Sequence, residues 1–324
     1  MGDNYTSMPF AGIPTFLKAP FVDEPENLPG GSIGVIGVPL DEATTNRPGA
    51  RFGPRAIREA STVYSYWEGG RVLDRGRGRT GFYDIECGHT ILSDVKMADA
   101  GDVPISPADI AESLKRITAS IGSLCRAGVF PVVLGGDHSI TYPVIRGFTG
   151  TEDRFWVLQL DSHLDYLDEL DGSRYTHASP MRLTSGLEFV DSIFHCGMRG
   201  ILADEDMLED AVAGGGKIVT TETILRDGTD SLFSQMPGLE KCYVTVDIDV
   251  FDPSIAPGTG VPEPGGLGFR DVRAILSGVA EKYQIIGFDI VEVNPLFDHG
   301  GITAQLAART AIDFLGAIYS NKRG

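Results

Sequence analysis

Apolar residues along this chain gather into short unbroken runs separated by stretches of helical period. The first run, SIGVIGVP (32–39), is opened by Gly-Gly and closed by Pro. A run of that length without polar alternation predicts a strand covered on both faces, as in parallel sheets. VFPVVL (129–134), FWVLQL (155–160), CYVTVDIDV (242–250) and YQIIGFDIVEV (283–293) repeat the pattern. Between Ser106 and Gly128 the apolar positions Ile110, Leu114, Ile117, Ile121 and Leu124 share one helix face. Ser106 is the expected cap, Pro107 suits the first turn, Asp109 completes a capping-box spacing and Gly128 is the stop. A short helix is expected around Pro54 to Glu59, and a closing helix from Ile302 to Tyr319. Strands alternating with helices, with no linker-like change and no internal repeat, predict a single α/β domain over 1–324 on a parallel sheet. Residues 1–28 carry no readable pattern and stand as an N-terminal extension.

Composition narrows the function classes. The 324 residues are 42% hydrophobic and 22% charged, which suits a folded enzyme and excludes a disordered chain. Acidic residues outnumber basic ones 45 to 27, for a net charge of −18, so nucleic acid is not an expected partner. Bound divalent cations would offset part of that charge. Cys87, Cys125, Cys196 and Cys242 are scattered and predict reduced thiols rather than a disulfide framework. With no secretory leader and no long apolar span, the expectation is a cytoplasmic protein without membrane attachment.

Metal-competent residues recur where the apolar runs end, the edge at which parallel sheets bind ligands. Run 129–134 leads into Gly135-Gly136-Asp137-His138-Ser139, whose glycines allow a tight turn that presents His138. By itself that motif is weak, and a hydrogen-bonded turn histidine explains it as well. Run 155–160 ends in Asp161-Ser162-His163-Leu164-Asp165, and in an extended chain Asp161, His163 and Asp165 would project to one side. A salt-bridge cluster is the plain alternative, but no nearby arginine run supplies partners. In VTVDIDV, Asp247 and Asp249 would share a strand face and repel each other unless a cation lay between them. Two imidazoles and four carboxylates are too rich in oxygen for structural zinc and suit two ions of manganese type. Such a pair activates water at neutral pH and acts as a Lewis acid.

GGDHS, DSHLD, VDIDVFDP, APGTGVPEPGG and VEVNP, in this order and spacing, resemble the ureohydrolase family of arginase and agmatinase through nearly the whole chain. TTNRPGARFGPRAIR and SRYTHASPMR are similar to the agmatinase branch. The resemblance implies a three-layer αβα fold with a central, mostly parallel sheet, assembled as homotrimers or homohexamers. It also implies two divalent ions per subunit, manganese favoured and nickel the alternative. One ion would take His138, Asp161, Asp165 and Asp247, the other Asp161, His163, Asp247 and Asp249, with Asp161 and Asp247 bridging. Hydroxide held by the two ions would attack the guanidinium carbon, and the tetrahedral intermediate would collapse to urea and an amine. Asp165 would move the proton, Glu292 would grip the guanidinium and His177 would shuttle a proton near the leaving group. A capped strand end and a loop histidine are the plain alternatives for the last two. His89, His195 and His299 match no ligand motif and are expected to be structural or exposed.

Three places depart from the commonest family text: Ser162 for alanine, Ala178-Ser179 after His177, and YDIECG near Cys87. The second lies beside the substrate. Tail recognition is expected in 166–175, where Asp168, Glu169 and Asp171 suit an amine, Arg174 a carboxylate, and Tyr166 and Tyr175 a flat cation. Family frequency favours agmatine, with a guanidino acid, free guanidine or a biguanide as alternatives. Two rivals stand beside a ureohydrolase. A one-zinc deacetylase on the same fold would carry adjacent histidines, which this chain lacks, and an inactive metal-binding subunit would have lost a ligand.

Overall fold

The computed structural model describes residues 8–67, 81–93 and 95–320. The predicted runs form strands β1 (Ile33–Gly37), β5 (Phe130–Leu134), β6 (Phe155–Leu160), β9 (Lys241–Asp247) and β10 (Gln284–Val291). Three further strands complete the sheet: β4 (Met97–Asp102), β7 (Val190–Met198) and β8 (Lys217–Thr220). A separate hairpin pairs β2 (Phe82–Asp84) with β3 (His89–Ile91). The eight-stranded order is β4-β1-β5-β10-β9-β6-β7-β8, and every neighbouring pair is parallel.

Successive residues of the central strands enter opposite layers, as a pleated strand requires. Val132 and Leu134 of β5 join one apolar cluster and Val133 the other, while Leu158 and Leu160 of β6 oppose Val157. Helices α1 (Gly53–Ser61), α7 (Phe269–Lys282) and α8 (Ile302–Ser320) cover the first face; α2 (Ile110–Arg126) and α3 (Thr141–Arg146) cover the second. The remaining helices are α4 (Pro180–Ser185), α5 (Glu205–Ala213) and α6 (Thr221–Asp227). This is the expected three-layer αβα architecture. No helix of the described residues is long and apolar enough to cross a membrane.

Three expectations need correction. Helix α2 starts later than predicted, because the Asp109 carboxylate accepts from Glu112 N at 3.0 Å and caps Ile110, while Ser106 bonds to Ser113. The fourth apolar run is not extended to its end: β9 stops at Asp247, and Ile248–Val250 form a 3-10 turn in which Asp249 N donates to Asp247 Oδ1 at 2.9 Å. The segment after Leu160 also leaves the strand, with Asp165 at φ 50°. Asp161, His163 and Asp165 therefore converge through a turning backbone rather than along an extended one.

The N-terminal segment, unreadable in sequence, closes an edge of the sheet from residue 8 onward. Phe16 N donates to Asp99 Oδ2 at 2.7 Å, Leu17 N to Ser61 Oγ at 2.8 Å and Val22 N to Asp99 O at 2.9 Å. Phe16 and Leu17 are fully buried, so edge strand β4 is covered rather than left open for pairing. Residues 1–7 lie outside the described part of the chain.

Candidate metal centre and active-site cleft

Four adjacent central strands, β5, β10, β9 and β6, deliver the charged residues at their C-terminal ends. The turn after β5 can form because Gly136 packs directly on the backbone of Leu40, where any Cβ would stand 1.8 Å from the Leu40 carbonyl oxygen. That turn carries His138 inward, fully buried. Its Nδ1 faces Asp165 Oδ2 at 2.8 Å, Asp161 Oδ2 at 3.1 Å and Asp247 Oδ2 at 3.3 Å. None of these is aligned as a hydrogen bond, and Nδ1 is a buried atom without one. A little farther along, His163 Nδ1 lies 3.0 Å from Asp249 Oδ2 and 3.8 Å from Asp161 Oδ1. Two candidate ligand groups result, His138-Asp161-Asp247 and Asp161-His163-Asp249, and they share Asp161.

The charge balance of this cluster calls for cations. Burial pushes the Asp161 carboxyl up to about 7, and the neighbouring Asp165 and Asp249 add to the rise. Asp247 is driven the same way by burial, Asp249 and Asp161. Burial opposes a charged His138, yet the three carboxylates around it outweigh burial and raise its affinity for a proton well above the ordinary value. A positive charge is thus favoured at the point that Nδ1 shares with three oxygens, and a metal ion supplies it when bound.

The tautomer of His138 supports the same assignment. Thr245 Oγ1 donates to Asp289 Oδ1 at 2.6 Å, so the same oxygen accepts from His138 Nε2 at 3.0 Å. That puts a ring proton on Nε2 and directs Nδ1 at the carboxylates, the arrangement found behind metal-bound histidines. Asp289 is held in turn by Tyr243 OH at 2.7 Å and Thr141 Oγ1 at 3.1 Å. Thr245→Val keeps the volume but removes this support. It is expected to weaken metal binding about 10- to 100-fold, as measured by chelator competition, with the fold retained.

Asp161 has a comparable support. Gln159 Nε2 donates to Asp161 Oδ2 at 2.7 Å, and Gln159 Oε1 lies 2.5 Å from Nδ1 of the buried His195. Burial lowers the His195 pKa to about 3, so the ring is neutral and its Nδ1–H fixes the amide orientation of Gln159. Strand register aligns His195 with Gln159, Gln159 with Thr245, and Thr245 with Asp289, forming a buried polar row across four strands beneath the candidate ligands. Ser162, where the family text usually has alanine, donates from Oγ to Asp249 Oδ1 at 2.7 Å, a bond alanine cannot make.

The cluster floors a cleft of about 400 Å³. Glu292 reaches it from the residue after β10, with a left-handed φ of 62°. Its Oε1 accepts from His138 N at 2.9 Å and faces His177 Nδ1 at 3.1 Å, while Oε2 carries none of the described hydrogen bonds. His177 also lines the cleft, and its Nε2 lies 2.7 Å from Thr45 Oγ1 and 3.0 Å from Thr45 N. Burial disfavours its imidazolium, but Glu292 outweighs burial and raises the pKa to about 9. Arg199 forms part of the wall, with its guanidinium spread over main-chain carbonyls that include Asp249 O at 2.6 Å and Glu263 O at 2.9 Å. This grip ties the end of β7 to the turn carrying Asp249.

None of the residues expected to recognise the tail in 166–175 lines the cleft, the substrate-binding candidates Tyr166 and Arg174 included. Tyr166 is buried beside it, with its OH on Ser185 Oγ at 2.7 Å and Arg182 stacked over its ring at 5.3 Å, so apolar packing rather than ligand contact explains its position. Arg174 is exposed and bonds Asp168 Oδ1 at 3.0 Å. His138, Asp161, His163, Asp165, Asp247, Asp249, His177 and Glu292 are all brought together. Gln159, Thr245, Asp289 and Arg199 were not anticipated, while His195, expected to be structural or exposed, is buried and structural. A signal for two of them exists, since Gln159 and Thr245 each stand two residues before a ligand in an apolar strand and so share its face.

The fold and this donor set define a three-layer α/β protein with a candidate metal centre at the C-terminal edge of its sheet. The chain belongs to the Arginase family, which it matches over residues 31–316. It is 36% identical to proclavaminate amidinohydrolase of Streptomyces clavuligerus, over 97% of this chain and 95% of that protein. With guanidinopropionase of Pseudomonas aeruginosa it shares 34% identity over 94% and 92% of the two chains. Among solved structures, the Streptomyces clavuligerus enzyme superposes with a TM-score of 0.82 at 33% identity, covering 97% of this chain and 100% of that one. Arginase from Bacillus subtilis gives 0.72 at 25% identity, covering 88% and 98%. The protein is therefore an arginase-family ureohydrolase, similar to the agmatinase-like branch. Enzymes of this family use a binuclear divalent centre, typically of manganese, and the candidate ligand groups for one are present here.

Proposed function

We propose that this protein hydrolyses the guanidino group of a small molecule to urea and an amine, with two divalent ions held by His138, Asp161, His163, Asp165, Asp247 and Asp249. The observation that carries the reading is the pair of ligand groups sharing Asp161, with the unbonded Nδ1 of His138 turned into one of them. Manganese fits the mixed oxygen and nitrogen donors, and nickel is the alternative. When bound, the ions supply Lewis acidity and lower the pKa of water. The remaining work falls to side chains. Glu292 Oε2 accepts from the guanidinium, giving a charge-assisted hydrogen bond that fixes its orientation. Asp165 takes the proton released as water adds to the guanidinium carbon, and His177 hands one to the departing amine. The reading includes one domain and a cytoplasmic homotrimer or homohexamer.

The acidic residues that favoured an amine tail in the sequence, Asp168, Glu169 and Asp171, are exposed and do not line the cleft. Agmatine therefore rests on family frequency alone. The test is urea release by metal-analysed protein loaded with Mn²⁺ or Ni²⁺, against guanidines with differing tails. Urea from any of them establishes the reaction. No urea from all of them, at two bound ions per chain, would sink it. Glu292→Gln is expected to lower kcat/KM about a hundredfold, since a charge-assisted contact to the reacting group becomes a neutral one.

A further inference from the structure

The cleft, at about 400 Å³, is far larger than a guanidinium group needs, so most of it is available to a tail. Its charged residues are concentrated on the floor, at the metal and guanidinium positions. The rest of the wall includes Leu202, Ala203, Met207 and Val261. Leu202 lines the cleft and is 64% exposed, an apolar side chain left open at its wall. Among the described residues that line the cleft, the only Arg or Lys is Arg199, and its donors are spent on the carbonyls of Gly197, Asp249, Val250, Phe251, Glu263 and Pro264. Among the described residues of the wall, no Arg or Lys is left open for a carboxylate tail. Asn46, the uncharged amide of the lining, is held by one bond from Nδ2 to Gly260 O at 2.8 Å. The carboxylate of Glu263 lies beside Gly200, 4.0 Å from His163 Nε2, at the floor end of the cleft rather than among the apolar wall residues.

Resting on the guanidino-hydrolase reading above, we propose that the substrate carries an uncharged, largely apolar tail, an alkyl- or arylguanidine, and that Leu202, Ala203, Met207 and Val261 select it. The side chains of Leu202, Ala203, Met207 and Val261 offer a charged terminus no hydrogen-bond partner. An apolar one gains about fourfold in binding for each methylene removed from water. The reaction balances as hydrolysis. Water contributes the carbonyl oxygen of urea, the bond between the guanidinium carbon and the tail nitrogen breaks, and the tail leaves as an amine that takes up a proton.

Pentylguanidine, agmatine and 4-guanidinobutyrate are near-isosteric and end in methyl, ammonium and carboxylate. With the Mn²⁺-loaded full chain, kcat/KM for urea release is expected to be at least about tenfold higher for pentylguanidine than for either charged compound. Leu202→Asp, an exposed change away from the ligands, is expected to lower that value about tenfold and to raise agmatine by a similar factor, with metal content and Tm unchanged. Equal or faster turnover of a charged compound by the unmodified protein overturns the tail assignment while leaving the hydrolase reading intact. An unchanged preference in Leu202→Asp also overturns it. Absence of urea from all three, at two metals per chain, overturns both.

Discussion

Asp161→Asn is expected to remove urea formation almost completely, with kcat lower by about ten-thousandfold or more, equivalent to roughly 5.5 kcal/mol in the barrier. The reason is its position. Asp161 belongs to both candidate ligand groups, so one substitution weakens both ion sites at once. An amide keeps the size of the side chain but has one weak oxygen ligand and a nitrogen that donates toward the cation. Gln159 Nε2, which points at Asp161 Oδ2 from 2.7 Å, would meet either that nitrogen or a neutral oxygen. Bound metal per chain, measured by elemental analysis, should fall from two to one or fewer in parallel with activity. Two tightly bound ions together with unimpaired turnover would show that Asp161 does not bridge the centre.

Removal of the ions should have the largest effect on stability. The metal-free centre confines Asp161, Asp247, Asp249 and His138, all essentially buried, together with Asp165, which is 8% exposed. Ions that bind the folded chain and not the unfolded one stabilise it by about 4 kcal/mol each at a thousandfold excess over Kd, hence about 8 kcal/mol for two. Chelation should therefore lower the unfolding free energy by that order, and Mn²⁺ should restore it. Urea or guanidinium titrations with and without chelator measure the difference. A Tm and a midpoint indifferent to chelator would mean that protons and hydrogen bonds alone keep the cluster together. The Asp249 carboxyl shows how much of that support is already built in: burial would raise its pKa, but His163 and two bonds from Ser162 hold it below the usual carboxylate range.

The candidate ligands were readable because each lies near the end of an apolar run or shortly beyond it, and buried parallel strands end at one edge. His138, Asp161, His163 and Asp165 needed only that rule and the chemistry of their side chains. Their convergence was reached for a partly wrong reason, however, since neither Asp161–Asp165 nor Asp247–Asp249 stays extended as the alternation argument assumed. Strands β4, β7 and β8 were missed because Asp99, Asp102, Asp191, Ser192, His195 and Lys217 interrupt their apolar character. Only pairing with a neighbouring strand makes these segments strands.

What the sequence determined by itself was the layer type, the class of chemistry and the candidate ligands, because burial period and ligand type are local properties. Tertiary structure decided which strands are neighbours and in what register. Only that register places His195, Gln159, Thr245 and Asp289 in one row and gives two of the ligands their supports. It also decided that Tyr166 and Arg174 stay out of the cleft while Leu202 and Met207 enter it. Contacts of this kind join residues far apart in the chain, and no local pattern of polar and apolar positions encodes which distant partner a side chain will meet.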